Sequence, residues 1–391
     1  MQSRFQSYIS VAHKLIDTYK GEIPLAAYLK NYFSQNKKHG STDRKQISHL
    51  CYCYYRIGGL LADADFNERL KLAYFLCNYS PKEFAFLFDD DWLSNWNEAI
   101  DERINFVQKK YAHLELEKIF KWYHLTGISN RNIFIRSHLI QPSLFLRVRN
   151  GFENKVQQKL QENKIEFATI NANSLSLNNG SRIEDIIKIN NEAVVQDYSS
   201  QQIATMMELV KKQFQKPIDV WDCCAASGGK SILAVDVFGE INLTVSDIRA
   251  SIIANLKKRF EAARIKKYQA FVADISKPVI IPQTFDFIIC DVPCTGSGTW
   301  SRTPEQLHFF KEEPIDTFSL LQKNIVTNTL DFLRKNGYFL YITCSVFKKE
   351  NDEVVDFLMK HFKLEIISKK YFEGYEMKAD SMFATLFKKL D

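Results

Sequence analysis

From Val194 to the end of the chain, short apolar runs alternate with longer stretches of helical periodicity, and this alternation limits the possible folds more than any other feature. Ile218–Asp222, Ile241–Ser246, Gln269–Ala273, Phe285–Cys290 and Tyr338–Thr343 read as strands. Ser231–Val237, Ser251–Arg264, Phe318–Arg334 and Glu350–Phe362 read as the helices that follow them. Strand and helix in strict turn predict an α/β domain with a doubly wound parallel sheet. Ligands of such sheets bind beyond the carboxyl ends of the strands, where strand order reverses.

Two cysteines fall at such strand ends. Cys294 follows Asp291-Val292-Pro293 after one apolar run, and Cys344 lies in Thr343-Cys344-Ser345 after another. A buried core thiol is the commoner fate of a cysteine. Two of them at strand ends, beside Asp, Pro, Gly and Ser, favour covalent chemistry on an electrophilic carbon. The eight cysteines contain no C-x-x-C pair, so neither a metal site nor a disulfide framework is expected.

A third motif is Cys224-Ala225-Ala226-Ser227-Gly228-Gly229-Lys230, which joins the first strand to the first helix. Its glycines allow a ligand to approach the backbone, and the helix start offers free amides. It matches neither G-x-x-x-x-G-K-[ST] nor G-x-G-x-x-G, so a nucleoside cofactor without a polyphosphate fits best. Asp247, at the end of the next strand, is placed to hold a ribose diol, and Asp274, after the third, to face an adenine edge. With Asp291 they make three acids in register.

The remaining 193 or so residues read differently. Residues 1–125 show apolar spacing typical of helices, as in Leu25, Leu29 and Phe33. Residues 126–193 read as a small α+β module, with strands near 143–149, 167–170 and 175–177 and a helix over 152–163. Arg131, Arg136, Arg147 and Arg149 cluster in this region as candidate phosphate contacts. At 391 residues the chain needs more than one core. Its composition, 46% hydrophobic and 25% charged, is that of an ordinary globular protein, and a net charge of +6 suits an RNA partner without establishing one. No membrane-spanning segment or leader is apparent, so a cytoplasmic protein and a monomer are expected.

Together, Cys224–Lys230, Asp291-Val-Pro-Cys-Thr-Gly-Ser-Gly298, Thr343-Cys-Ser345 with Glu350-Asn351, and Val195-Gln-Asp-Tyr-Ser-Ser-Gln201 resemble the RNA cytosine-C5 methyltransferases of the RsmB/NOP2/Sun (Fmu) family. The likeness is good over about residues 130–391. More loosely, residues 1–125 resemble the NusB-like helical RNA-binding domain of bacterial rRNA members. It implies a Rossmann-like class I methyltransferase domain over 194–391, with S-adenosylmethionine as cofactor and no metal. It implies methyl transfer to carbon 5 of a cytosine, most naturally in 16S rRNA, with tRNA as the alternative substrate.

The resemblance further implies Cys344 as the nucleophile that attacks C6, Cys294 as the residue assisting release, and Asp291 at the base edge and beside the methyl donor. Lys230 would orient Asp291 or the base, and Arg302, in an Arg-x-Pro segment, would touch RNA. The chain departs from the family pattern at Ser227, where proline is usual, which is expected to loosen the cofactor turn. The rival readings are an amino-group methyltransferase, which leaves Cys344 unexplained, and a non-catalytic RNA-binding assembly factor that keeps the fold.

Overall fold

A computed structural model describes residues 2–214 and 217–390. The chain divides into two compact units. The first comprises residues 1–124, 129–141 and 300–311, and the second residues 125–128, 142–299 and 312–391.

The first unit is helical. Ser41–Arg56 is representative: Asp43 accepts from the Gly40 amide at its start, and Leu50, Cys51 and Cys53 are buried. Residues 300–311 belong here, although the sequence places them in the catalytic domain. Trp300 is buried against Phe120, Trp122 and Phe310, the Ser301 carbonyl accepts from Arg56, and Glu305 accepts from the Leu25 amide. These partners lie far off in sequence, where local reading cannot see them.

The second unit contains two sheets. The smaller has strands β1 (Leu144–Val148), β2 (Phe167–Asn171), β3 (Ser174–Leu177) and β4 (Ala193–Val195), in the antiparallel order β2-β3-β1-β4. The helix Glu153–Glu162 closes its core with Val156 and Leu160. The larger has β5 (Ile218–Asp222), β6 (Ile241–Asp247), β7 (Tyr268–Val272), β8 (Phe285–Asp291), β9 (Leu333–Thr343), β10 (Leu364–Glu373) and β11 (Ser381–Lys389). Their order is β10-β11-β9-β8-β5-β6-β7, with β5 to β9 parallel.

Period-2 alternation sends Val220, Phe287 and Leu340 to one face, where helices Gly229–Phe238 and Ala250–Ala262 pack. Trp221, Ile288 and Phe339 go to the other, under helices Glu313–Leu330 and Asp352–His361. The sheet is therefore doubly wound, as the sequence predicts, but not wholly parallel: β11 runs antiparallel to both β9 and β10. Residues 374–380 make only a short turn between these two strands, too short for the crossover that parallel pairing requires. Among the described residues, no helix is long and apolar enough to cross a membrane.

Candidate active site

Strand order reverses at β5, which lies between β6 and β8, and the loops after these strands carry the predicted residues. The first loop turns tightly. Ala226 and Gly228 have φ of +45° and +80°, and the Gly228 amide donates to the Ala225 carbonyl at 2.7 Å. A Cβ on Gly228 would stand 2.6 Å from the Phe260 ring, so glycine is required for both backbone and space. Gly228 caps helix Gly229–Phe238, leaving that helix's first amides free. Asp247, at the end of β6, accepts from the Ala226 amide at 3.1 Å and from Arg249. Ser227 does not leave the turn loose as expected: its hydroxyl and carbonyl both accept from Arg259, whose Nε donates to Asn190.

A cleft opens above this loop, lined by Gln196, Ser200, Asp222, Ala226, Lys230 and Asp291 among others. Asp247 and Asp274 lie outside its lining. Asp274, two residues past β7, is tied to Ser276 and Lys277, and its hydrogen bonds from Ser276 hold its carboxyl below the usual range. Lys230 is buried; its ammonium donates to Asp291 at 3.0 Å and to Ser200 at 2.8 Å.

Asp222 went unnoticed in the sequence. It ends β5 fully buried; Ser231 donates to Oδ2 at 2.6 Å, while Oδ1 has no partner among the described residues. Burial pushes its carboxyl up to about 7, against the Ser231 hydrogen bond. The shift is upward from an unfolded value near 4, so folding takes up a proton between about pH 4 and 7. The associated stability is present at low pH and is lost as pH rises through 7. Between pH 5.5 and 8.5, the wild type is expected to lose about 2 kcal/mol relative to Asp222→Asn. Urea unfolding of both proteins at the two pH values checks this; parallel responses would refute it.

The two predicted cysteines meet. Cys294 Sγ and Cys344 Sγ lie 3.3 Å apart, beyond the ends of the paired parallel strands β8 and β9. Buried Glu350 clamps the loops that carry them: it accepts from the Thr295 amide at 2.8 Å, the Thr295 hydroxyl at 2.6 Å and the Ser345 hydroxyl. The Gly298 amide donates to the Cys344 carbonyl at 2.9 Å, and the Val346 amide to Ser297 Oγ at 2.9 Å. The Cys344 sulfur beside it and burial both push the Cys294 thiol up. Glu350 and Asn351 appear in the sequence motif, but their clamping role depends on residues up to 55 positions away.

The arginines divide. Arg147 and Arg149 are corrected: both grip Asp236 inside the second unit, with Arg149 also donating to the Asn190 and Ala263 carbonyls, so neither presents a free guanidinium to RNA. Arg131 and Arg136, in the first unit, remain accessible, paired with Glu117 at 3.5 Å and Asp101 at 2.8 Å. Arg302 is half-buried in the same unit. No group of three or more metal-ligating side chains occurs among the described residues.

Comparison with known proteins agrees with this geometry. Residues 205–388 match the family model described as 16S rRNA methyltransferase RsmB/F. The chain is 25% identical over 280 residues to the probable ribosomal RNA small subunit methyltransferase B of Bacillus subtilis, covering 68% of this chain and 60% of that protein. It is 29% identical over 166 residues to ribosomal RNA small subunit methyltransferase B of Xanthomonas campestris, covering 41% and 37%. The matches thus span less than two thirds of these relatives' lengths. Among solved structures, PH0851 aligns with a TM-score of 0.67 at 19% identity over 93% of this chain and 94% of its own. NSun6 from Pyrococcus horikoshii, solved with SFG, aligns with a TM-score of 0.56 at 11% identity, covering 67% and 96%. Both likenesses are of fold. The paired thiols, the glycine loop and the sequence match agree: over residues 205–388 the chain is similar to the RsmB/F methyltransferases.

Proposed function

We propose that this protein methylates carbon 5 of a cytosine in RNA, with 16S rRNA as substrate, through a transient bond between Cys344 and C6 of the base. The observation that carries the proposal is the pair of thiols 3.3 Å apart at the ends of adjacent strands, beside Asp291. The family is S-adenosylmethionine-dependent, and the cleft suits that cofactor. It offers unpaired helix-start amides and a buried carboxylate oxygen with no protein partner, suited to a cationic amino group. Ile248, 59% exposed next to Asp247, offers an apolar surface for an adenine ring. When bound, the cofactor supplies an electrophilic methyl group on a sulfonium.

Carbon 5 of cytosine is a poor nucleophile. Addition of the Cys344 thiolate to C6 forms a carbon–sulfur bond and pushes the ring electrons toward C5, which takes the methyl carbon as the methyl–sulfonium bond breaks and its electron pair stays on sulfur. Asp291, at the end of β8, is placed to hydrogen-bond the N3 and N4 edge and steady the charge of the adduct. A base, either water or Cys294 as thiolate, then takes the C5 proton, the C6–S bond breaks, Cys344 leaves as thiolate and the aromatic ring is restored. Cys294, in contact with the departing sulfur, is the group that assists this step. An rRNA substrate implies cytoplasmic action, with Arg131, Arg136 and Arg302 of the helical unit as contacts.

The test is Cys294→Ala, incubated with S-adenosylmethionine and total RNA from a host lacking the enzyme. A protein–RNA adduct on denaturing gels is expected, containing 16S rRNA and disappearing when Cys344 is also mutated. Adducts with tRNA alone would shift the substrate to the alternative. Intact methyl transfer by Cys294→Ala without an adduct would remove the release role, and no transfer by wild type on any RNA would leave the non-catalytic assembly factor.

A further inference from the structure

We infer that Ser200 is a positioning residue: it fixes the Lys230 ammonium against Asp291, and is itself fixed by a buried chain of hydrogen bonds running from Asp236 through Arg147 and Gln196. The inference deepens the proposed function and rests on it for its catalytic consequence.

Arg147 is 6% exposed, and a guanidinium can only donate. Its Nη1 pairs with Asp236 and its Nε donates to Gln196 Oε1 at 2.7 Å. Because Arg147 demands the amide oxygen, the Gln196 side chain has one allowed orientation, and its Nε2 must turn toward Ser200 Oγ, which it meets at 3.0 Å. Asp236 is also held by Arg149, so the far end of the chain is anchored.

Ser200 Oγ therefore receives two N–H donors, one from Gln196 and one from Lys230 at 2.8 Å. Both lone pairs of a hydroxyl are then used, and its own hydrogen must point elsewhere. Ser200 lines the cleft, so that hydrogen faces ligand space. Lys230 has three N–H groups; one goes to Ser200 and one to Asp291, leaving a third for the cleft that Lys230 also lines. Without the Ser200 oxygen, the buried ammonium loses one of two protein acceptors, and its rotamer is no longer set. The strands that supply Arg147 (β1) and Gln196 (just past β4) belong to the small sheet, so that sheet acts as a bracket for a side chain of the catalytic sheet.

Four variants of the full chain test this: Ser200→Ala, Ser200→Thr, Lys230→Met, and Ser200→Ala with Lys230→Met. The first readout is the rate of Lys230 acetylation by a soluble reagent, followed by mass spectrometry on the protein without RNA. Ser200→Ala is expected to speed labelling at least threefold, with Ser200→Thr at the wild-type rate. The second readout is methyl transfer: kcat is expected to fall about tenfold in Ser200→Ala and to return within threefold in Ser200→Thr. KM for RNA should stay within twofold, and Lys230→Met should be no slower when Ser200→Ala is added. Unchanged Lys230 labelling in Ser200→Ala, or losses from Ser200→Ala and Lys230→Met that simply multiply, would overturn the inference. An inactive wild type would instead strike the proposed function, while the labelling result would still decide whether Ser200 fixes Lys230.

Discussion

Cys344→Ala is expected to reduce methyl transfer by at least about 10³-fold, the scale of loss when a covalent nucleophile is removed. S-adenosylmethionine affinity should change less than twofold, because Cys344 lies outside the lining of the cofactor cleft. The fold should persist. Cys344 is half-buried, and its side chain's hydrogen-bond partner among the described residues is the Cys294 sulfur alone. Alanine keeps the Cβ, and the Cys344 carbonyl, which accepts from Gly298, is backbone. Single-turnover transfer and cofactor titration, run on one preparation, separate chemistry from binding. Substantial residual turnover would transfer the nucleophile role to Cys294. That exchange is a real alternative, since the two sulfurs occupy nearly equivalent places at the ends of neighbouring strands.

The two cysteines were legible in the sequence because each lies within a few residues of the end of an apolar run, so the strand and the loop at its tip are read together. The same locality made Asp291 and the Cys224–Lys230 loop legible. Asp222 ends the same kind of run, but nothing in its neighbourhood says that it is sealed from water; Ser231 and the loop above it do that in three dimensions. Gln196 and Ser200 stand in a recognisable segment, yet their use depends on Arg147, 49 residues from Gln196, and on Lys230, 30 residues from Ser200. Charge pattern misled where a partner was distant: Arg147 and Arg149 look like phosphate contacts until Asp236, 87 and more residues on, takes both. In the fold, β5 to β9 were readable from apolar runs. The edge strand β10 is mostly exposed and carries Glu365, Lys369 and Lys370, a composition that blunts an edge and hides a strand.

Gly298→Ala is expected to damage both stability and activity more than its single methyl suggests. A Cβ at this position would stand 2.0 Å from the Ser381 carbonyl oxygen and 2.9 Å from that of Cys344. Both are backbone atoms, so no side-chain rotation relieves the clash. Ser381 begins β11, which pairs with β9 through Phe383 and Thr343, and Cys344 is the next residue after β9. To make room, the loop bearing Cys294 must therefore withdraw from the loop bearing Cys344, stretching the hydrogen bond from Gly298 to Cys344 and those from Thr295 to Glu350. A cost of about 3 kcal/mol is expected, at the upper end for overpacking, together with a loss of activity of about 100-fold, or 2.7 kcal/mol in the barrier. Gly180→Ala is the control, since a Cβ there meets nothing within 4 Å. Urea unfolding gives the stability change. The spacing of the thiols is read from the rate at which diamide oxidises Cys294 and Cys344 to a disulfide, the reagent taking up the two electrons and two protons. That rate should fall in Gly298→Ala and hold in Gly180→Ala. Wild-type stability and crosslinking in Gly298→Ala would mean that the two thiol loops are not held together through this glycine.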